Sequence, residues 1–319
     1  MKKTLCELLE HFYQLSLTSR LFIGFIFSVI FGLCWFYVSM FIGSFVWDVP
    51  FFDFIDVVLL ASKQLESRSL IHFLLVTQSI SMFFIPAIVM TKILKSNIIS
   101  LWKLNTLPSG FFLFLIIQII LVNIPGMNFW SGINTSIVQL FVPTSSVLHT
   151  MYEQSQAITN YMIHAPRFVD LLINVFCIAI IPAVSEELFF RGMLQRYAAR
   201  AMGRVEVAII ITSIIFSLLH ADVYNFIPRF CMGIIFGYLY WYTNNLWVPI
   251  IAHFIHNSGV VITYYAIQHG FIHDNFEFIG MWGYGAVFGI VSILVVSMFL
   301  TYMVSIKMQI NLSDKEQLQ

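Results

Sequence analysis

The sequence predicts an all-α fold, a polytopic membrane helix bundle with about eight transmembrane helices. Three observations carry that expectation. Hydrophobic residues make up 59% of the chain and charged residues only 10%. The mean hydropathy is +0.87, outside the range of soluble globular domains. The apolar residues also gather into runs approaching the ~20 needed to cross a bilayer.

In chain order these runs lie at approximately 21–46, 70–91, 110–127, 168–190, 205–220, 226–243, 246–267 and 278–304. The first follows a polar segment and has no small-residue cleavage site, so it reads as an anchor and not as a signal peptide. The third and fifth are short or interrupted. Between the third and fourth runs lies the longest polar or mixed stretch, Asn128 to Arg167. Its second half, Ser145 to Met162, has two readings: an amphipathic helix on the outer surface, or an ordinary outer loop. The acidic loop around Asp48, Asp53 and Asp56 suits the cap of an outer helix end. Residues 305–319 read as a cytoplasmic tail, polar and disordered from Asn311 onward. With no internal repeat, low-complexity tract or soluble domain in view, 1–319 reads as a single integral membrane domain.

The formal net charge is zero and names no partner; nucleic acid is not expected. The distribution of charge says more. With the N-terminus inside, the inner segments hold Lys2, Lys3, Arg20, Lys92, Lys95, Lys103, Arg191, Arg196, Arg200, Arg204, Lys307 and Lys315. The outer segments hold Lys63, Arg68, Arg167 and Arg229. That bias places both termini in the cytoplasm. Cys34, Cys177 and Cys231 fall inside runs, Cys6 lies on the reduced side, and no Cys/His spacing suggests a structural metal site.

Functional candidates are therefore the polar residues inside spans, which concentrate between Glu186 and Asn257. His72, Gln78 and Gln118 in the earlier runs read as interhelical hydrogen-bond contacts. Glu186 and Glu187 end an apolar run, and a carboxylate in hydrocarbon costs several kcal/mol unless compensated. Arg191 is one helical turn from Glu187 and within reach of it. Holding one carboxylate ionised leaves the other free to change protonation and to serve as a general base on water. Solvated Glu–Arg pairs are also common at helix ends. Phe216 to His220 closes the fifth run, and Asp222 either orients His220 or begins the outer turn. His253 and Asn257 are four apart and share one helical face, where a histidine and an amide donor suit amide hydrolysis. His256, three from His253, is an understudy for either role.

The three patterns EExxxR, FxxxH and HxxxN, in that order on separate spans, resemble the CAAX protease and bacteriocin-processing enzyme (CPBP, or Abi) family. That family includes the type II CAAX prenyl endopeptidases. The resemblance covers about 168–262, the motif-bearing core. It implies an intramembrane endopeptidase acting on a membrane-associated peptide or protein, either CAAX-like or of the leader and bacteriocin type. Glu186 is similar to the catalytic glutamate, with Glu187 and Arg191 as its support and Phe216 as the motif's aromatic. His220 and His253 resemble the histidines facing the water, and Asn257 the oxyanion donor. Metal-free and metallo mechanisms have both been described for the family. Glu186, His220 and His253 could in principle hold zinc, but the chain lacks HExxH, so no cofactor is favoured. A bacterial inner membrane suits such a chain, and the sequence leaves the oligomeric state open. Two other classes stand beside this reading. One is a non-catalytic scaffold or bacteriocin self-immunity protein on the same fold. The other is a proton-coupled transporter, which no repeat supports.

Overall fold

The computed structural model describes residues 10–53, 68–93, 102–273, 275 and 279–316. Asp56, Lys63 and Cys6 lie outside the described residues. Among the described residues the long elements are all helices: α1 Leu17–Trp47, α2 Arg68–Ile93, α3 Gly110–Phe141, α4 Val147–Ile163, α5 Phe168–Met202, α6 Val205–Leu218, α7 Phe226–Thr243, α8 Trp247–Gln268 and α9 Gly285–Glu316. Every expected span has a helix. Six of these (α1, α2, α3, α5, α8 and the first part of α9) are long and apolar enough to cross a membrane, and α6 is a shorter apolar helix. In α7 the apolar run is diluted by Arg229 and by the tyrosines Tyr238, Tyr240 and Tyr242.

Two boundaries differ from the sequence expectation. α3 does not stop near residue 127 but runs through Pro125 to Phe141. A proline removes a ladder donor and crowds the preceding turn. Here the Ser292 hydroxyl of α9 accepts the Gly126 N–H at 3.1 Å and donates to the Val122 carbonyl at 2.5 Å. The disturbed turn is thus satisfied from a neighbouring helix. Of the two readings for 145–162 the helical one holds: α4 spans Val147–Ile163, started by Ser146, whose hydroxyl accepts the His149 N–H. Beyond residue 305 the chain stays helical to Glu316, so the polar segment expected to be disordered continues α9.

The helices pack around α5. Residues of α2, α5, α6, α7 and α8 with Trp102 and Leu246 build one apolar core, including Phe189, Phe190, Met193, Phe216 and Tyr240. Residues of α3, α7, α8 and α9 build a second around Ile116, Ile119, Phe236, Leu239 and Ala252. α6 and α7 form a short hairpin. His220 and Ala221 (φ 51°) turn the chain, and a 3₁₀ turn Val223–Asn225 leads into α7. Asp222 organises that turn, accepting from the Tyr224 N–H at 3.0 Å, Asn225 Nδ2 at 2.8 Å and Arg229 Nη1 at 3.0 Å. α7 approaches its neighbours through Gly233 and Gly237. A Cβ at Gly233 would stand 2.8 Å from Ser213 Cβ, and one at Gly237 2.8 Å from Ile209, the close approach that small residues four apart allow.

Candidate active site

α5 is not a uniform α-helix. π-helical segments at Val175–Ile180 and Leu188–Gln195 flank the α-helical stretch Ile181–Glu187. Such wide turns gather at functional sites. The first has a visible cause in Pro182, which has no N–H to return to the Ile178 carbonyl. Asn257 on α8 supplies the donor instead, its Nδ2 lying 3.2 Å from the Ile178 oxygen. Asn257 therefore ties α8 to the bent part of α5. The Ser185 hydroxyl donates to the Ile181 carbonyl within the same stretch.

The glutamate pair sits at the junction of the α and π segments. Glu186 is 7% exposed, Glu187 fully buried and Arg191 2% exposed. Arg191 Nη1 donates to Glu187 Oε1 at 2.8 Å, and its Nη2 donates to the Gly233 carbonyl of α7 at 2.9 Å. The guanidinium also lies 5.2 Å from the ring centroid of Phe216 and 5.4 Å from that of Phe236, within cation–π range. A buried pair is retained only where such additional contacts offset the desolvation of both ions.

Glu187 Oε1 carries a second bond, from His253 Nδ1 at 2.8 Å. An oxygen held anionic by an arginine accepts only, so the proton of His253 resides on Nδ1. Its Nε2 is then an acceptor, 4.0 Å from Glu186 Oε2. The ring stacks on Phe236, centroids 4.9 Å apart, with Phe216 edge-on at 6.2 Å. Glu186 Oε2 and Glu187 Oε2 are both buried with no hydrogen-bond partner among the described residues. The two glutamates differ in that Glu187 Oε1 is held by two donors, Arg191 and His253.

His220 also packs against Phe216, centroids 4.9 Å apart, and its Nδ1 donates to the Phe216 carbonyl at 2.7 Å. That bond leaves Nε2 as the reactive nitrogen. Asp222 does not orient it; its carboxylate is used by the hairpin turn. His256 is half-buried and forms no hydrogen bond among the described residues. The structure thus brings Glu186, Glu187, Arg191, His253 and Phe216 into direct contact. It joins His220 to them through Phe216 and seats Asn257 on the backbone of α5. Among the described residues no three His, Cys, Asp or Glu side chains form a metal-ligand set. Both histidine rings meet Phe216 edge-on, His220 at 4.9 Å and His253 at 6.2 Å between centroids.

Sequence reasoning missed several supporting groups. Gln195 is buried and its Nε2 donates to the Gly237 carbonyl at 3.0 Å, one turn beyond the Arg191–Gly233 bond. The spacing of Gly233 and Gly237 was a readable signal for that contact. His72 Nε2 meets Asn174 Oδ1 at 2.8 Å, so His72 is the interhelical contact expected of it.

These features define a class: a multi-pass helical membrane protein with an acid–histidine site buried between α5, α6 and α8. Residues 168–259 match the family model for type II CAAX prenyl endopeptidase Rce1-like proteins, bearing out the resemblance read from the three motifs. The chain is 33% identical over 142 residues to the membrane-embedded CAAX protease MroQ of Staphylococcus aureus (strain USA300), covering 42% of this chain and 56% of that protein. It is 34% identical over 110 residues to the putative membrane peptidase YdiL of Bacillus subtilis (strain 168), covering 34% and 42% respectively. The chain spans about half the length of the curated relatives it matches. No solved structure matches it.

Proposed function

We propose that this protein is an intramembrane endopeptidase that hydrolyses a peptide bond of a membrane-associated protein or peptide with a Glu186-activated water. One observation carries the reading. His253 is fixed through Nδ1 to the arginine-held Glu187, which directs its Nε2 toward the buried, unpartnered Oε2 of Glu186 at 4.0 Å. A water seated against both would lose a proton to Glu186 as its oxygen bonds to the scissile carbonyl carbon. His253 and His220 position that water through Nε2. The second N–H of Asn257, the first being bound to Ile178, stabilises the oxyanion. As the tetrahedral intermediate collapses the C–N bond breaks, and the proton taken by Glu186 passes to the leaving amine.

A metal-free mechanism is favoured because the chain lacks HExxH, the spacing by which a zinc-protease helix presents two ligands and a base. The substrate class follows the resemblance: a CAAX-like carboxyl terminus or a leader-type peptide at the membrane. The charge bias supports cytoplasmic termini, a bacterial inner membrane suits such a chain, and 168–262 is the catalytic core. Co-expression of Glu186→Ala and His253→Ala variants with candidate membrane peptides tests the reading. Both variants are expected to abolish processing, and chelation is expected to leave the unsubstituted protein active. Unchanged processing by both variants would overturn the enzyme reading, and loss of activity on chelation would overturn the metal-free one.

A further inference from the structure

A second cavity, of about 260 Å³, opens at the arginine-rich end of the bundle, apart from the site above. It is lined by Gln195, Arg196, Arg200, Val205, Tyr240 and Trp241, among others. Its chemistry is two-sided. Arg196 and Arg200 are one turn apart on α5, so both guanidinium groups project from one face. Arg196 Nη1 donates to the Tyr240 hydroxyl at 3.2 Å, which fixes it at the cavity wall. Arg200 is exposed, with its guanidinium 6.0 Å from the ring of Tyr197. Opposite them Val205 and Trp241 present apolar surface, and Trp241 is 41% exposed. Glu206, on the first turn of α6, does not line the cavity. An indole and apolar wall under two arginines at a membrane boundary suit an amphiphile whose polar end is anionic.

We propose that this cavity binds a phosphate monoanion or diester, supplied by the headgroup of an anionic phospholipid whose acyl chains follow Val205 and Trp241. Bidentate donation from a guanidinium to phosphate oxygens gives the headgroup its hold. Occupancy would also brace the active site, although the binding claim does not depend on that site being a protease. Gln195 lines the cavity and donates to the Gly237 carbonyl, one turn from the Arg191–Gly233 bond that orients Glu187.

Native mass spectrometry and thermal melting of the full-length protein in detergent test the proposal. The probes are phosphatidylglycerol, phosphatidylcholine and inorganic phosphate. Phosphatidylglycerol is expected to bind and to raise the melting temperature, with phosphatidylcholine showing neither effect. Arg200→Gln is expected to weaken phosphatidylglycerol binding about fivefold without altering melting in phosphatidylcholine, and Arg196→Gln to act in the same direction. Saturable protection by inorganic phosphate as strong as that by phosphatidylglycerol, lost in the same variants, would uphold the phosphate site and overturn the lipid as its source. Equal binding of both lipids, or undiminished binding in both arginine variants, would overturn the proposal.

Discussion

Arg191 joins more of the site than any other side chain. It binds the Glu187 carboxylate and the Gly233 carbonyl and faces Phe190, Phe216 and Phe236. A lysine keeps the charge but cannot serve two acceptors through a planar fork. Arg191→Lys is therefore expected to preserve the helical content while lowering cleavage by about 10²-fold, because His253 loses its fixed orientation. Circular dichroism beside a cleavage assay checks this, and cleavage equal to that of the unsubstituted protein would contradict it. At this scale the sequence was informative where chemistry follows helical spacing. Glu187 and Arg191 are one turn apart and do pair. The partition of roles between Glu186 and Glu187 depends on His253, 66 residues beyond Glu187, and no local spacing specifies which acid it reaches. The Asn257 bond was half legible. Pro182 announces an unpaired Ile178 carbonyl, but the distant donor that satisfies it is set by packing.

Helix packing governs the next level. α7 supplies none of the carboxylates or histidines of the site, yet its Gly233 carbonyl accepts from Arg191 and its Phe236 ring stacks on His253. Gly237→Val would drive a Cβ to 2.8 Å from Ile209 and 3.0 Å from Gln195 Oε1, separating α7 from α5 and α6. The expected result is a lower melting temperature, equivalent to about 1–3 kcal/mol, accompanied by reduced cleavage. Gly110→Ala, where an added Cβ meets nothing within 4 Å, is the matched control and is expected to be silent. Equal melting of the two variants would contradict the packing argument. Helix existence was legible from apolar runs because the membrane demands them. Helix ends and irregularities were not. The passage of α3 through Pro125 depends on Ser292, and the π turns of α5 on contacts from other helices.

Over the whole molecule, the two apolar cores meet at the polar site. Phe190 and Phe216 belong to one core and Phe236 to the other, with Arg191 facing all three rings. This arrangement shows how a chain with so few charges keeps Glu187 and Arg191 in its interior: they pair with each other, and His253 of α8 and the Gly233 carbonyl of α7 bind the pair from other helices. The helical membrane class was legible because composition and apolar runs specify it, whereas the expected eight spans compare with six span-length helices and a shorter apolar one among the described residues. The convergence of α5, α6 and α8 was legible only through the resemblance of three motifs, since apolar periodicity does not specify which helices adjoin. The central claim is that Glu186 activates water while Glu187 anchors His253. Its most direct test is single-turnover cleavage of a membrane peptide by the purified protein in lipid vesicles, comparing the unsubstituted chain with Glu186→Gln. The account predicts that Glu186→Gln binds the peptide with unchanged affinity and forms product at least about 10²-fold more slowly; product formation at the unsubstituted rate would contradict it.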